Sequence, residues 1–297
     1  MAVKKVKLVS SRQAINILEL LYSERNGFSS AEIQKLLFVY SMEIEDKPTF
    51  EFIPSKNGCY SPSLSRALQK LQDQHLVKSV SSDGETRLTL TVEGRWCAMG
   101  LTSASKMDGF LKNYTLRGDE LLSDVYHRFP YWAIKCSPAI VPKTDEASFK
   151  DKHILLASIG YQNRTFENYL NALIKNDIDI LCDVRKNPVS RIYGFSKSTL
   201  KTACDYLGIE YRHYPDLGIP GFERMSLESQ EDYDELFARY EKSVLPKAEK
   251  SLNELIAFVQ SGKSIALTCF EEKPEQCHRT RVLNYIAKKT ASAPKLI

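Results

Sequence analysis

The stretch SIALTCFEEKPEQCHRTR, residues 264–281, runs from an apolar segment (Ile265, Ala266, Leu267) into Cys269, then a charged loop, then Cys277-His278-Arg279. The apolar segment predicts a strand over 264–270, and the pattern after the loop predicts a helix over 278–289. Two thiols, an imidazole, a guanidinium and the Glu271 carboxylate therefore gather where a strand gives way to a helix. That is a reactive or ligand-binding composition.

Working outward, HILLASIG (153–160) is a continuous apolar run ending in glycine, as a buried parallel strand should be. Residues 165–176 carry Phe166, Tyr169, Leu170 and Leu173 at helical spacing. IDILCDVR (178–185) is a second buried strand, 196–207 a helix capped by Ser196 or Ser198, and GIEYRHYP (208–215) a third strand. Residues 231–262 are mostly helical with a break at Pro246. Strands alternating with helices imply an α/β domain over 153–297, with a mostly parallel sheet and helices on both faces. Ligands of such sheets sit outside the carboxyl ends of the strands. Those ends carry Ser158, Gly160, Tyr161, Asn163 and Arg164, then Asp183 and Arg185, then His213 and Asp216, then Cys269, Glu271, Cys277, His278 and Arg279.

The first half has a different pattern. Ala14, Ile15, Ile17, Leu18 and Leu21 predict a helix over 12–25, broken at Gly27. Ser29-Ser-Ala-Glu32 is a capping box opening a second helix, with Ile33, Leu36, Leu37 and Tyr40 inward. Residues 49–53 form a short strand and Asn57-Gly58 a turn. Ser61 and Pro62 open a third helix as N-cap and first residue, with Leu64, Leu68 and Leu71 buried. Two β-rich runs then flank Asp83-Gly84, a hairpin signal.

Three helices followed by a hairpin is the order of a winged helix, whose third helix enters the DNA major groove. Ser65, Arg66, Gln69 and Lys70 line that helix's outer face, and Arg66 and Lys70 are the expected DNA contacts. The plain alternatives are a solvated face or a protein-binding module. Residues 107–136 add a helical section that completes a domain over 1–136. SPAIVPKTDEASFKDK (137–152) is polar with two prolines and reads as a linker.

Two resemblances accompany these patterns. AEIQKLLFVYS, FEFIPSKNGCYSPSLSRALQKLQ and VYHRFPYWAIK resemble a group of bacterial and phage-associated winged-helix proteins, which implies no enzymatic activity. SIGYQNRTFENYLNAL, DVRKNPVSR, FSKSTLKTACDYLGIEYRHYPDLG and above all LTCFEEKPEQCHR resemble, over 153–290, the domain-of-unknown-function family numbered 488. That resemblance implies a compact α/β domain and supplies no activity.

Composition bounds the function classes. The 297 residues suit two domains, and 43% apolar with 26% charged residues is ordinary for a soluble globular chain. No stretch of about 18 apolar residues is present, so no membrane span is expected. MAVKKVKLVSSRQ has no apolar core of signal-peptide length, so the expected location is cytoplasmic. Seven scattered cysteines then read as reduced thiols. Net charge is +4, spread over both halves, so neither demands nucleic acid, although a local basic face suffices for phosphates.

Three chemistries fit the cluster. A cysteine nucleophile is favoured at Cys277 by the helix start and Arg279, or at Cys269, with His213 or His278 as base. Against it, neither cysteine opens a Cys-x5-Arg anion cradle, and both are able simply to pack. Zinc would use Cys269, Cys277 and His278 with Glu271 or Asp183. Because no Cys-x2-4-Cys pair is present, and adjacent Cys277 and His278 are poorly placed to share an ion, no metal is expected. Phosphate binding would use Arg164, Arg185, Arg191, Arg279 and the last helix's N-terminus, with Asp183 orienting an arginine or a sugar hydroxyl. A fourth option pairs Asp183 with Glu271 for acid–base work.

The resulting expectation is a chain that binds and processes a nucleotide or nucleic-acid substrate, with no cofactor assigned. Cys269, Glu271, Cys277, His278 and Asp183 are the chemical groups, and Arg185, Arg279, Arg164, Asn163, Tyr161 and His213 the binding groups. The rivals are a DNA-binding regulator whose α/β domain senses a small ligand, and a protein-interaction module.

Overall fold

The computed structural model describes residues 11–82, 84–101, 106–136, 154–224 and 227–297. Asp83 of the expected hairpin turn, the expected linker 137–152 and His153 lie outside the described residues. The chain divides into two compact units, Met1–Thr144 and Asp145–Ile297.

The first unit is mainly helical. Helix α1 (Arg12–Tyr22) is capped by the Ser11 hydroxyl. After β1 (Phe28–Ser29), α2 (Ser30–Glu43) begins at the expected capping box, with both reciprocal Ser29–Glu32 bonds formed. The four inward positions expected on α2 understate it. Every residue from Glu32 to Ser41 is buried, so α2 is the central helix of this unit. Its buried polar groups find partners. Gln34 Oε1 accepts the Ser61 amide at 2.8 Å, and Lys35 Nζ donates to the Asn57 carbonyl at 3.2 Å.

A hairpin of β2 (Ile53–Ser55) and β3 (Gly58–Tyr60) turns through Asn57, slightly later than the expected strand. Helix α3 (Pro62–Asp73) has Ser61 as N-cap, Pro62 first, and Leu64, Leu68 and Leu71 buried, as its sequence requires. Strands β4 (Val77–Ser82) and β5 (Glu85–Leu90) pair antiparallel, and β1 adds to β5. Three further helices follow: α4 (Val92–Met99), α5 (Lys106–Asn113) and α6 (Gly118–Arg128). The order helix, helix, helix, hairpin is thus present, with α4 as an element the sequence reading did not anticipate.

The second unit is an α/β domain. Strands β6 (Leu156–Gly160), β7 (Ile180–Asp183), β8 (Glu210–His213), β9 (Ile265–Cys269) and β10 (Lys295–Leu296) form one parallel sheet in the order β10-β6-β9-β7-β8. Strands β6, β7 and β9 are buried along their whole length, which their apolar runs demand. The crossovers are α7 (Phe166–Lys175), α8 (Lys197–Leu207), α9 (Gln230–Ser243), α10 (Glu249–Gln260) and α11 (Arg279–Thr290). Pro246 lies in the short 3-10 turn that separates α9 from α10.

Side chains alternate across a strand, so the two faces of β9 differ. Ile265, Leu267 and Cys269 join a core with Leu236, Tyr240, Leu252, Val282 and Ile286 of α9, α10 and α11. Thr268 points the other way, where its hydroxyl accepts from Tyr169 of α7 at 2.8 Å. Among the described residues, no helix is long and apolar enough to cross a membrane.

Candidate functional site

The cluster forms where β9 ends and α11 begins. Cys269 closes β9, and a 3-10 turn (Pro274–Gln276) folds the chain back so that Cys277 returns to the strand end. Thr280 secures this turn by donating to the Pro274 carbonyl at 2.6 Å. The backbone is extended at Cys277 (φ −129°, ψ 129°) and helical at His278 (φ −63°, ψ −24°). That change of conformation turns both neighbouring side chains toward Glu271. The Cys269 and Cys277 sulfurs each lie 3.0 Å from Glu271 Oε2. His278 Nδ1 lies 3.8 Å from the Cys269 sulfur, and one donor atom from each of the four residues falls within 4.8 Å of the others. Adjacent Cys277 and His278 do reach one point, contrary to the expectation from their spacing.

A second layer of contacts holds these groups. His278 Nε2 donates to the Val184 carbonyl at 2.9 Å, which leaves Nδ1 as the acceptor facing the cluster. Arg224, from the 3-10 turn Gly221–Arg224, forms an ion pair with Glu271 Oε1 and donates to His278 Nδ1 at 2.5 Å. Arg279 is completely buried. Its guanidinium donates to the Ser158 hydroxyl (2.8 Å), the Glu271 carbonyl (2.5 Å) and the Cys277 sulfur (3.3 Å), tying the loop to β6. Gly160 completes the seat, because a Cβ there would lie 2.1 Å from the Glu271 carbonyl oxygen.

The electrostatics follow from crowding three acidic groups in a buried space. Burial, and then the charge on Cys269, raise the Glu271 carboxyl above its ordinary value, against the pull of Arg224. Burial opposes ionisation of Cys269, yet its contacts with Cys277, His278 and Arg224 outweigh that and hold it low. Cys277 is pushed up, first by burial and then by Cys269. The site therefore favours the Cys269 thiolate. Cys269 and Cys277 are almost wholly shielded from solvent, at 2% and 0% exposure, whereas Arg224 and Glu271 are partly exposed.

The other expected site residues lie elsewhere. Asp183 pairs in register with Thr268, so it shares the face opposite to Cys269. Its buried carboxylate accepts from Arg185 Nε (2.8 Å), Arg185 Nη2 (2.5 Å) and the Tyr211 hydroxyl (2.6 Å). This uses up the carboxylate and corrects its assignment as a partner of Glu271. Arg185 also donates to the Tyr161 hydroxyl (2.9 Å) and the Phe195 carbonyl (2.8 Å), which fastens the loop after β7 rather than a ligand. Arg164 donates to the Ile297 carbonyl at 2.9 Å, and Asn163, in a left-handed conformation (φ +61°), donates to Glu272 at 2.9 Å. His213 donates through Nε2 to the Arg185 carbonyl at 2.9 Å and accepts from Lys197 at 3.2 Å. Of the four arginines expected to form an anion cradle, Arg164, Arg185 and Arg279 brace the scaffold instead, and Arg191 is exposed. In the first unit, Arg66 and Lys70 are exposed on α3 beside Gln69.

The loops of the same sheet edge carry exposed apolar side chains. Val189, Ile192 and Tyr193 follow β7, Phe222 follows β8 and Phe270 follows β9. Phe270 packs edge-on against Tyr161 (5.3 Å), which stacks on Phe195 (4.3 Å). Exposed Lys186, Arg191 and Lys197 accompany them. Sequence reading passed over Arg224, Phe222 and Phe270. PGFER carries no periodic or motif signal, and its importance arises only where the chain returns to the strand ends.

The second unit is thus a parallel α/β domain with a buried Cys–Glu–Cys–His cluster at the carboxyl edge of its sheet. Residues 165–286 match the family described as Domain of unknown function DUF488. The match lies within the second unit and includes the whole cluster. No curated protein and no solved structure matches the chain.

Proposed function

We propose that the second unit binds a nucleotide-class ligand, free or within a nucleic-acid strand, at the carboxyl edge of its sheet and acts on it there. The observation that carries this reading is the 3-10 turn Gly221–Arg224. It presents Phe222, 73% exposed, two residues before the guanidinium that bridges Glu271 and His278. An exposed aromatic ring offers a stacking face for a base. Lys186, Arg191 and Lys197 on the same edge offer charge to phosphate. Arg224 and Glu271, the outermost groups of the cluster, are those a bound ligand reaches first.

Equilibrium titration with mononucleotides, dinucleotides and short single strands tests this, with products followed by chromatography. Phe222→Ala removes one stacking face, worth about 1–3 kcal/mol per base, so affinity falls roughly 5- to 150-fold. Absence of binding by wild type to every member of the panel sinks the reading. Binding without turnover would instead favour the ligand-sensing regulator.

A second reading concerns the first unit, where α3 exposes Arg66, Gln69 and Lys70 beside the β4–β5 hairpin. We propose duplex DNA as its partner. Arg66→Ala with Lys70→Ala then lowers affinity and flattens the salt dependence by about one unit of slope per lost phosphate contact. Unchanged binding by the double variant removes α3 as the reading element.

A further inference from the structure

We infer that Cys269, Glu271, Cys277 and His278 form a tetrahedral site for a divalent transition metal of the zinc class. This goes beyond the nucleotide reading and does not rest on it. The chemistry of the donor set is the first ground. Two sulfurs, one imidazole nitrogen and one carboxylate oxygen are the ligands zinc takes, and thiolates exclude the hard cations calcium and magnesium.

Geometry is the second ground. Zinc bonds of ~2.0–2.3 Å place neighbouring ligand atoms about 3.3–3.8 Å apart in a tetrahedron. Here the separations run from 3.0 Å for each sulfur–carboxylate pair, through 3.8 Å for Cys269 and His278, with all four atoms within 4.8 Å. The sulfur–carboxylate pairs need to open by a few tenths of an ångström, and the widest pair to close by up to about 1 Å, to meet the ideal.

The supporting contacts are those a metal site needs. The Nε2–H bond of His278 to the Val184 carbonyl fixes the tautomer whose Nδ1 lone pair faces the other ligands. Glu271 directs Oε2 at the sulfurs while Arg224 holds Oε1, so the carboxylate is oriented as a one-oxygen ligand. Arg279 holds the loop at the Glu271 backbone carbonyl and the Cys277 side chain at its sulfur.

Arg224 is the group that a metal displaces. Its Nη2 takes the His278 Nδ1 lone pair at 2.5 Å, while its Nε is buried without a hydrogen-bond partner. An ion at Nδ1 replaces that one contact and leaves the Arg224–Glu271 ion pair in place. Three acidic groups aimed at one buried point are otherwise compensated by the Arg224 and Arg279 guanidiniums alone among their hydrogen-bonded partners.

The test uses the full, reduced chain without nucleotide. Cobalt(II) is titrated in and followed by its thiolate charge-transfer and visible d–d bands, with zinc added afterwards. The expected result is saturation at one cobalt per chain, with bands of a tetrahedral thiolate site that zinc abolishes. Cys277→Ser and His278→Ala should each weaken cobalt at least tenfold, while Cys97→Ser leaves it unchanged. Where circular dichroism shows that a cysteine variant has not folded, Glu271→Gln takes its place. It keeps both sulfurs and should weaken cobalt about tenfold. Absence of the charge-transfer bands in wild type at saturating cobalt overturns the inference. So does full retention of the bands and affinity in folded Cys277→Ser or in Glu271→Gln.

Discussion

His278 Nε2 and the Val184 carbonyl oxygen stand 2.9 Å apart, joining the start of α11 to the residue after β7. A carbonyl only accepts, so the proton sits on Nε2 and the Nδ1 lone pair is turned into the cluster. Arg224, which only donates, meets Nδ1 from the other side and requires the same tautomer. One backbone oxygen thereby decides which nitrogen of His278 is available for chemistry.

Arg279→Lys should disable the cluster. The guanidinium bonds Ser158, the Glu271 carbonyl and the Cys277 sulfur together, and a lysine ammonium lacks that planar fork. With the side chain fully buried, a loss of about 1–3 kcal/mol is expected for each partner left without its hydrogen bond. Urea denaturation measures it, and a loss under about 1 kcal/mol, the scale of an exposed ion pair, would show that Arg279 is not the brace.

Gly160→Ala should reach the site through the backbone. The added methyl meets the Glu271 carbonyl oxygen at 2.1 Å, a position that cannot relax without moving the loop. Weakened cobalt binding with secondary structure retained is the expected result, read by the same absorbance titration. Wild-type affinity in Gly160→Ala would mean that the loop position is immaterial.

Asp183→Asn should cost stability without entering the chemistry. It leaves Arg185 buried beside a neutral partner, for an expected loss of about 3–5 kcal/mol. Tyr211→Phe removes one hydrogen bond to a charged group, for about 1.5–3 kcal/mol. Denaturation midpoints rank the two, and cobalt binding should survive both, because Asp183 and Cys269 occupy opposite faces of the sheet.

Lys35→Met should stabilise the first unit. Burial first, against weaker pulls from neighbouring acidic groups, lowers the Lys35 pKa below 10.5. A lowered folded value contributes stability above the unfolded value that is lost as pH falls through the folded one. At neutral pH the charged ammonium is therefore a cost, and an apolar residue of similar volume should recover about 1 kcal/mol or more. Thermal melts of the two proteins at pH 7 and pH 10 should differ most at pH 7.

Alkali should destabilise the chain progressively through its buried thiols. Burial pushes the Cys59 and Cys204 thiols from 9.0 up to about 12. Raised folded values bind the proton more tightly, so their stability contribution is complete below pH 9 and disappears as pH rises through about 12. Denaturation midpoints measured from pH 8 to pH 11 should fall progressively, and less steeply in Cys204→Ala. A flat profile would refute the burial of these thiols.

Most of the fold was legible because local physics and burial agreed. Apolar runs such as ILLASIG and DILCD have no polar face to show water, so they become interior parallel strands. Ser29 with Glu32, and Ser61 with Pro62, announce their helices through orphan amides that need capping. Strand β10 and helix α4 escaped notice for opposite reasons. Lys295 and Leu296 are too few to show a period and pair only because β6 has an open edge. Val92, Trp96 and Met99 leave α4 with exposed apolar residues, the reverse of an amphipathic surface helix.

The sequence by itself determined that a parallel sheet would carry Cys269, Glu271, Cys277 and His278 near one edge. Strand and helix periods are local, and the residues lie within ten positions of one another. Which of the edge residues share a site was decided only by tertiary structure. Asp183 and Cys269 sit on neighbouring strands, yet pairing Asp183 with Thr268 sends their side chains to opposite faces. Arg185 and Arg279 are absorbed as braces, whereas Arg224, 45 or more positions from the cluster in sequence, closes it. Register and loop return are long-range properties, and no local spacing encodes them.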